Sequence, residues 1–158
     1  MLHVALLEPE IPPNTGNIAR LCAGTGTRLH LIGPLGFSLT DKYLRRAGLD
    51  YWPLVDLHLH ATWAEFLAAL PTPHRVWLVE NPAPRRIYDC EFLDGDVFVF
   101  GKESAGLPVE LQRLYPARVI DVPVQPNTVR SYNLSTTVGI VVAEAYRQIG
   151  WPTTAGAG

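Results

Sequence analysis

The stretch FGKESAGLP, residues 100–108, places two charged side chains between two glycines directly after an apolar run. Lys102 and Glu103 supply a cation and a carboxylate, while Gly101 and Gly106 permit turns and close backbone approaches that other residues prevent. An ordinary strand-to-helix connection needs turn residues and a helix cap, and it has no need of a charged pair. The stretch therefore predicts either a plain turn or a site where a ligand lies against the backbone.

A second group of residues has side chains that bind metals. Asp56, His58 and His60 alternate along LVDLHLH, so on a strand all three point to one face and two imidazoles can share an ion. The alternative, which we favour, is a strand whose polar face meets water and whose apolar face meets the core. The apolar residues in question are Val55, Leu57 and Leu59.

The sequence matches neither of two common nucleotide-binding motifs, because residues that each motif requires are displaced or replaced. Gly24 and Gly26 lie at the end of a predicted helix, where a dinucleotide fingerprint would need them between a strand and the start of a helix. GKES resembles the end of a phosphate loop, but Glu103 replaces the hydroxyl that binds magnesium and Gly95 is one residue too far upstream. We therefore expect neither a dinucleotide nor a nucleoside triphosphate.

Apolar, β-favouring runs alternate with amphipathic helical patterns along the chain, which predicts an α/β fold with a parallel sheet flanked by helices. Ligands of such sheets bind outside the carboxyl ends of the strands. We expect one domain, residues 1–152, followed by a flexible tail, 153–158, and Thr40 as the N-cap of the second helix. The predicted strands are 2–8, 28–33, 54–60, 75–80, 96–101 and 117–123, and the predicted helices are 14–26, 40–48, 62–70, 108–115 and 133–150.

Composition limits the function classes. The chain has 158 residues, a formal charge of −2, 47% hydrophobic residues and no long apolar run or basic leader, so we expect a cytoplasmic protein without a membrane anchor. The charge argues against a generally basic nucleic-acid-coating protein but leaves room for a local patch, since most basic residues are arginines suited to phosphate. Cys22 and Cys90 lack metal or disulfide spacing, and we expect Cys22 to be buried.

Small residues follow one line of the last predicted helix. Ser135, Gly139 and Ala143 recur every fourth residue, a spacing that lets another helix approach closely. One interpretation is close packing within the monomer, and the other, which we favour, is a homodimer formed by a pair of these helices.

Three ordered motifs, NTGNIAR, FGKESAGLP and RSYNLSTTVGIVVAEAYRQ, resemble those of SPOUT-class methyltransferases. More narrowly, they are similar to the short, single-domain tRNA ribose 2′-O-methyltransferases that modify the wobble nucleoside. The likeness extends over LHVALLEPEIPPNTGNIARLCAGTG and DKYLRRAGLDY and so covers nearly the whole chain. It implies a C-terminal deep trefoil knot, S-adenosylmethionine as cofactor, a homodimer with the site near the interface, tRNA as substrate and no metal.

The resemblance also assigns site residues. Arg20 would be the activating group, and since an arginine stays protonated we expect it to hold the ribose and phosphate and to stabilise an alkoxide. Glu103 would position Arg20 or the last loop, which is the segment 122–133 before the last helix. An ion pair of Glu103 with Lys102 or an arginine is the alternative. Asn133 would cap the last helix. The matched catalytic set is Asn14, Arg20, Glu103, Ser131 and Asn133, and the matched cofactor set is Val79, Gly101, Gly106, Val122, Ser131 and Leu134.

The sequence specifies the type of reaction better than it specifies which RNA is the substrate. Lys102, Ala105 and Tyr132 stand where close relatives usually have Pro, Arg and Met, which alters expected RNA contacts. Methylation of another tRNA position or of ribosomal RNA remains an alternative, as does a dimeric RNA-binding protein without catalysis. A metal-dependent hydrolase built on Asp56 and its neighbouring histidines is the third alternative.

Overall fold

The computed structural model describes residues 1–48 and 51–152. Within them, seven strands form one sheet in the order β3-β2-β1-β6-β4-β7-β5, and every neighbouring pair is parallel. The predicted parallel α/β sheet is therefore confirmed, whereas the expected tail, 153–158, lies outside the described residues. The strands are β1 His3–Leu7, β2 Arg28–Ile32, β3 Leu57–His60, β4 Val76–Val79, β5 Arg85–Arg86, β6 Val97–Phe100 and β7 Val119–Asp121.

Helices connect the strands and cover both faces of the sheet. Side chains alternate along each strand, so Leu6 and Phe98 pack in one core with the first and last helices, while Ala5 and Val99 pack in a second core with α3 and α4. The helices are α1 Pro12–Thr25, α2 Lys42–Gly48, α3 Trp63–Ala69, α4 Val109–Leu114 and α5 Leu134–Ile149, with short 3₁₀ turns at Trp52–Leu54, Ile87–Asp89 and Pro116–Arg118.

The helix ends show why the chain folds locally as it does. Pro12 opens α1, where its missing N–H costs no hydrogen bond, and Gly26 ends α1 in the left-handed conformation. Asn133 caps α5, as predicted, by accepting from the N–H of Ser135. The prediction for α2 was wrong by one residue, because the carboxylate of Asp41, and not Thr40, accepts from the first N–H groups of that helix.

Strand β5 was not predicted, because its two residues are too few to show a strand pattern in the sequence. The trefoil knot implied by the resemblance stays a prediction. Cys22 is buried in the first core, as expected. No helix among the described residues has the length and apolar character needed to cross a bilayer.

A row of hydrogen-bonded imidazoles crosses the first three strands. His30 lies between His3 and His60, at 2.9 Å from each ring. Burial, followed by nearby basic groups, lowers the pKa of His3 to about 4 and that of His30 to about 3, so both are neutral near pH 7. The expectation that Leu59 faces the core was wrong: it is 54% exposed, because β3 is the edge strand and its far end is uncovered on that face.

Candidate active site

A cleft of about 260 Å³ opens at the carboxyl ends of β4, β6 and β7, where a parallel sheet places its ligands. Its apolar wall consists of aliphatic and aromatic side chains, and its rim carries amides, hydroxyls and carboxylates. The residues that line it are Ile11, Asn14, Val79, Glu80, Asn81, Phe100, Gly101, Lys102, Glu103, Gly106, Val122, Ser131, Tyr132, Asn133, Leu134 and Thr137.

Glu103 binds the start of α1 and so holds the glycine-rich loop, residues 101–108 between β6 and α4, against it. Its carboxylate accepts hydrogen bonds from the N–H groups of Glu10, at 2.8 Å, and Ile11, at 3.1 Å, and from the side-chain amide of Asn14, at 3.4 Å. Ile11 is the N-cap of α1, so the carboxylate lies just before the first turn, where a negative charge complements the helix dipole. Among the described residues of its own chain, Glu103 forms no hydrogen bond or ion pair with Lys102, Arg20 or the last loop, so its expected role toward Arg20 stays a prediction.

Asn14 joins the same loop to the last helix. Its side-chain oxygen accepts a hydrogen bond of 3.0 Å from the amide of Asn133, whose own oxygen caps α5. Asn14 is 6% exposed, so its amide is fixed between the two partners and a lost bond would leave a buried polar group unpaired. Glu103, Asn14 and Asn133 therefore form one hydrogen-bonded line along the cleft, from the glycine-rich loop to α5.

The two glycines serve contacts within the chain. A Cβ at Gly101 would lie 2.1 Å from the carbonyl carbon of Gly106, and a Cβ at Gly106 would lie 2.5 Å from a carboxylate oxygen of Glu80. Gly106 also has a φ of +67°, which favours glycine. The close approach of two segments of the loop to each other is therefore one reason for these glycines, while their expected approach to a ligand in the cleft that they line stays a prediction.

Glu80 is a site residue that the sequence patterns did not predict. Its carboxylate accepts from the N–H of Leu107, at 2.6 Å, and so holds the returning arm of the glycine-rich loop. Asn81 donates from its side chain to the carbonyl of Val122, at 2.9 Å, and ties β4 to the last loop. The signal was available, because both residues directly follow a buried strand at the carboxyl edge.

The last loop offers free hydrogen-bonding groups to the cleft. Among the described residues, the backbone N–H groups of Ser131, Tyr132 and Asn133 have no acceptor. These three residues line the cleft together with Val79, and the lining also includes the carboxylates of Glu80 and Glu103. The donor set thus fits a molecule with apolar rings, hydrogen-bond acceptors and a positive charge, and S-adenosylmethionine combines all three.

Arg20 lies apart from the other predicted site residues. It is exposed on α1, outside the cleft lining, and its guanidinium stacks on the ring of Tyr51 at 4.7 Å from the ring centre. Every other predicted catalytic and cofactor residue lines the cleft, and these are Asn14, Glu103, Ser131, Asn133, Val79, Gly101, Gly106, Val122 and Leu134.

The two residues that flank Glu103 in sequence, Lys102 and Ser104, bind carboxylates of the β1–α1 loop. Lys102 pairs with Glu8 at 3.8 Å. The hydroxyl and N–H of Ser104 both donate to Glu10, and these bonds hold the pKa of the Glu10 carboxyl below its ordinary value. The β1–α1 loop and the glycine-rich loop are therefore bound to each other from both sides.

The candidate metal ligands bind one another. Asp56 accepts from Arg28 and contacts His58, each at 2.7 Å, while His60 bonds with His30. These contacts, led by the hydrogen bond from Arg28, keep the pKa of Asp56 below its usual range. In residues 1–48 and 51–152 no group of three or more metal-binding side chains has a suitable arrangement.

Known proteins resemble this chain along nearly all its length. A tRNA (cytidine(34)-2′-O)-methyltransferase of Burkholderia cenocepacia (strain HI2424) is 50% identical over 153 residues, which are 96% of this chain and 97% of the relative. A solved structure described as giving structural insights into the 2-OH methylation of C/U34 on tRNA is 49% identical, with a TM-score of 0.88 over 94% of this chain and 95% of that one.

A more distant solved structure shares the fold. The SpoU methyltransferase AviRb from Streptomyces viridochromogenes, in complex with the cofactor AdoMet, is 21% identical, with a TM-score of 0.80 over 94% of this chain and 60% of that chain. The model of the SpoU rRNA Methylase family matches residues 1–143. The chain belongs to the SpoU methylase family.

Proposed function

We propose that this chain transfers a methyl group from S-adenosylmethionine to the ribose 2′-hydroxyl of the wobble nucleoside, position 34, of tRNA. Relatives at 46–50% identity are named for this activity on cytidine 34. The observation in this chain that carries the proposal is the hydrogen-bonded line of Glu103, Asn14 and Asn133 beside a cleft of suitable chemistry.

The cleft residues hold and orient the reactants. S-adenosylmethionine, when bound, supplies an activated methyl group. The wall formed by Val79, Phe100 and Leu134 would hold its rings, while the free N–H groups of Ser131 and Asn133 would meet acceptor atoms. Because the methyl donor is already reactive, correct placement of the sugar hydroxyl supplies much of the acceleration, on the order of 7–11 kcal/mol in favourable cases.

Arg20 would serve the site of a second copy of the chain. It is exposed and lies outside its own cleft, and α1 packs against α5. On α5 the line of small residues faces away from the core, since a Cβ at Gly139 would meet nothing within 4 Å. A homodimer formed through that line would bring α1 of one copy toward the cleft of the other.

At that site the guanidinium would hold the ribose phosphate and stabilise charge on the attacking oxygen. An arginine stays protonated, so its contribution is electrostatic and positional rather than that of a base. The rim residues Ser131 and Tyr132 are exposed, which gives the hydroxyl proton a route to water.

The test is methyl transfer from labelled S-adenosylmethionine to bulk tRNA, and in parallel to ribosomal RNA, from a strain that lacks this gene. Mass spectrometry of nuclease fragments should place the label on the ribose of nucleoside 34. Label in ribosomal RNA and none in tRNA would support instead the activity for which the family is named. No label in either RNA would support the non-catalytic RNA-binding protein.

A further inference from the structure

Helix α2 presents a basic surface that the proposed chemistry does not use. Lys42, Arg45 and Arg46 are exposed and lie at positions i, i+3 and i+4, so they share one side of the helix. Leu44, on the opposite side, is fully buried and fixes the orientation of the helix. Together with the exposed ring of Tyr43 these three side chains form what we call the α2 basic face.

The charges of the α2 basic face are not neutralised within the described part of the chain. No carboxylate there lies within ion-pair distance of its lysine or arginines, whereas Arg28, Arg75 and Arg147 each pair with an aspartate or glutamate. The nearest acidic residue in sequence, Asp41, is engaged in capping the helix. In a chain of net charge −2, this is a local concentration of available cations.

Aromatic rings accompany these cations. The ammonium of Lys42 lies 5.0 Å from the ring centre of Tyr43, which is 51% exposed, and Arg20 stacks on Tyr51 just beyond the helix. Arginine forks match phosphate geometry, and exposed aromatic rings stack on unpaired bases. This combination of chemistries suits RNA better than an acidic protein surface, which would offer carboxylates but no bases.

The α2 basic face is joined to the rim of the cleft. The loop before α2 is fastened to the β1–α1 loop by the bond from the N–H of Gly36 to the carbonyl of Pro9, at 2.9 Å, and Glu103 binds the next residue, Glu10. Helix α1, which starts at the cleft, packs against α2 and has 14 residues. It is therefore about 21 Å long, a length over which a duplex carries on the order of ten phosphates.

We propose that the α2 basic face docks the phosphate backbone of the tRNA stem that flanks the methylated nucleoside. The proposal rests on the proposed function and adds to it the surface that holds the substrate outside the cleft. Contacts of this kind raise affinity without touching the reacting atoms, so their loss weakens tRNA binding and leaves the chemical step intact.

The test compares Arg45→Ala/Arg46→Ala with the control Arg86→Ala/Arg113→Ala, which removes the same charge from exposed arginines elsewhere. We expect the first double variant to raise KM for tRNA about tenfold and to reduce the slope of log affinity against log salt by about two. Its kcat and its affinity for S-adenosylmethionine should stay within about twofold of the wild type. The control variant should leave KM for tRNA, the salt slope, kcat and the affinity for S-adenosylmethionine unchanged.

An unchanged KM and salt slope in Arg45→Ala/Arg46→Ala, or an equal change in the control variant, would overturn the proposal. A fall in kcat alone would also overturn it, because that result assigns the arginines to the reaction. Direct tRNA binding without cofactor separates this proposal from the proposed function: a wild type that binds tRNA through the α2 basic face but transfers no methyl group refutes only the latter.

Discussion

The side-chain amide of Asn133 donates a hydrogen bond of 3.0 Å to the side-chain oxygen of Asn14. The two residues are 119 positions apart, and each stands near the start of a helix, α5 and α1 respectively. Glu103 holds the other end of Asn14, so the cleft is closed on one side by three side chains that fix one another. The geometry of the cleft therefore depends on which atoms of Asn133 and Asn14 are donors and which are acceptors.

The variant Asn133→Asp separates capping from this link. A carboxylate still caps α5, but it faces the oxygen of Asn14 without a proton to donate. We expect the unfolding free energy to fall by about 1–3 kcal/mol, because the buried oxygen of Asn14 loses its donor, and methyl transfer to fall by at least about tenfold. Asn133→Ala is the comparison, because it removes the cap as well and should cost stability in addition.

Thermal unfolding and single-turnover methyl transfer measure the two effects. If Asn133→Asp transferred methyl groups at the wild-type rate, the hydrogen bond to Asn14 would have no part in shaping the cleft.

The close contact in the glycine-rich loop gives a second prediction. In Gly101→Ala the new methyl group would lie 2.1 Å from the backbone of Gly106, so the loop must shift. We expect a loss of about 1–3 kcal/mol in unfolding free energy, together with weaker binding of S-adenosylmethionine. Gly24→Ala is the matched control, since its methyl group meets nothing within 4 Å and lies in a helix, where it should stabilise by about 0.5–1 kcal/mol.

Chemical denaturation and calorimetric titration with the cofactor distinguish the two variants. Equal unfolding free energies of Gly101→Ala and Gly24→Ala would contradict this prediction, because the loop would then accommodate a methyl group at Gly101 without strain.

Mixed dimers test whether Arg20 acts across the interface. Arg20→Ala removes the guanidinium, and Thr137→Arg fills the cleft of its own chain from α5. If each is inactive alone, a mixed dimer has one complete site when Arg20 serves the other copy and none when it serves its own. Random mixing of equal amounts should therefore restore about a quarter of the wild-type activity.

Light scattering must first show that each variant is a dimer and that subunits exchange. Absence of any restored activity after exchange would place Arg20 in the site of its own chain, and a monomer at micromolar concentration would reject the dimer itself.

The imidazole row makes stability depend on pH. In the folded chain His30 has a pKa of about 3 and His3 of about 4, both below the ordinary value of 6.5, because burial disfavours the charged ring. The unfolded chain then binds more protons in that interval, so stability is full above about pH 6.5 and falls as the pH decreases toward 4. We expect the urea midpoint to be lower at pH 5 than at pH 7.

The variant His30→Gln keeps a donor and an acceptor between its neighbours and removes one titrating group. Its urea midpoint should change less between pH 7 and pH 5 than that of the wild type. An identical change in both proteins would mean that other groups cause the pH dependence.

Local patterns were sufficient to predict the parts of the fold that depend on nearby residues. The continuous apolar, β-favouring run in 96–101 predicted β6, and Asn133 before a long apolar-striped helix predicted the α5 cap, because strand burial and helix capping act within a few residues. The three motifs likewise contain several residues that line the cleft, among them Asn14, Glu103 and Asn133.

Contacts between distant segments were not predictable in the same way. Nothing in the sequence reveals that Gly106 returns against Gly101 or that Glu80 binds the N–H of Leu107 after that turn. The row through His3 and His30 required the register of neighbouring strands, which local alternation does not specify. The position of Arg20 outside its own cleft likewise depends on how α1 packs.

Removal of one oxygen atom from the substrate tests directly whether the ribose 2′-hydroxyl of nucleoside 34 receives the methyl group. Two otherwise identical tRNAs, with cytidine or 2′-deoxycytidine at position 34, are incubated with the enzyme and labelled S-adenosylmethionine. We expect methyl transfer to the first tRNA and none to the second, with similar binding of both. Equal label in the two tRNAs would contradict it, because the methyl group would then have gone to an atom other than the ribose 2′-oxygen.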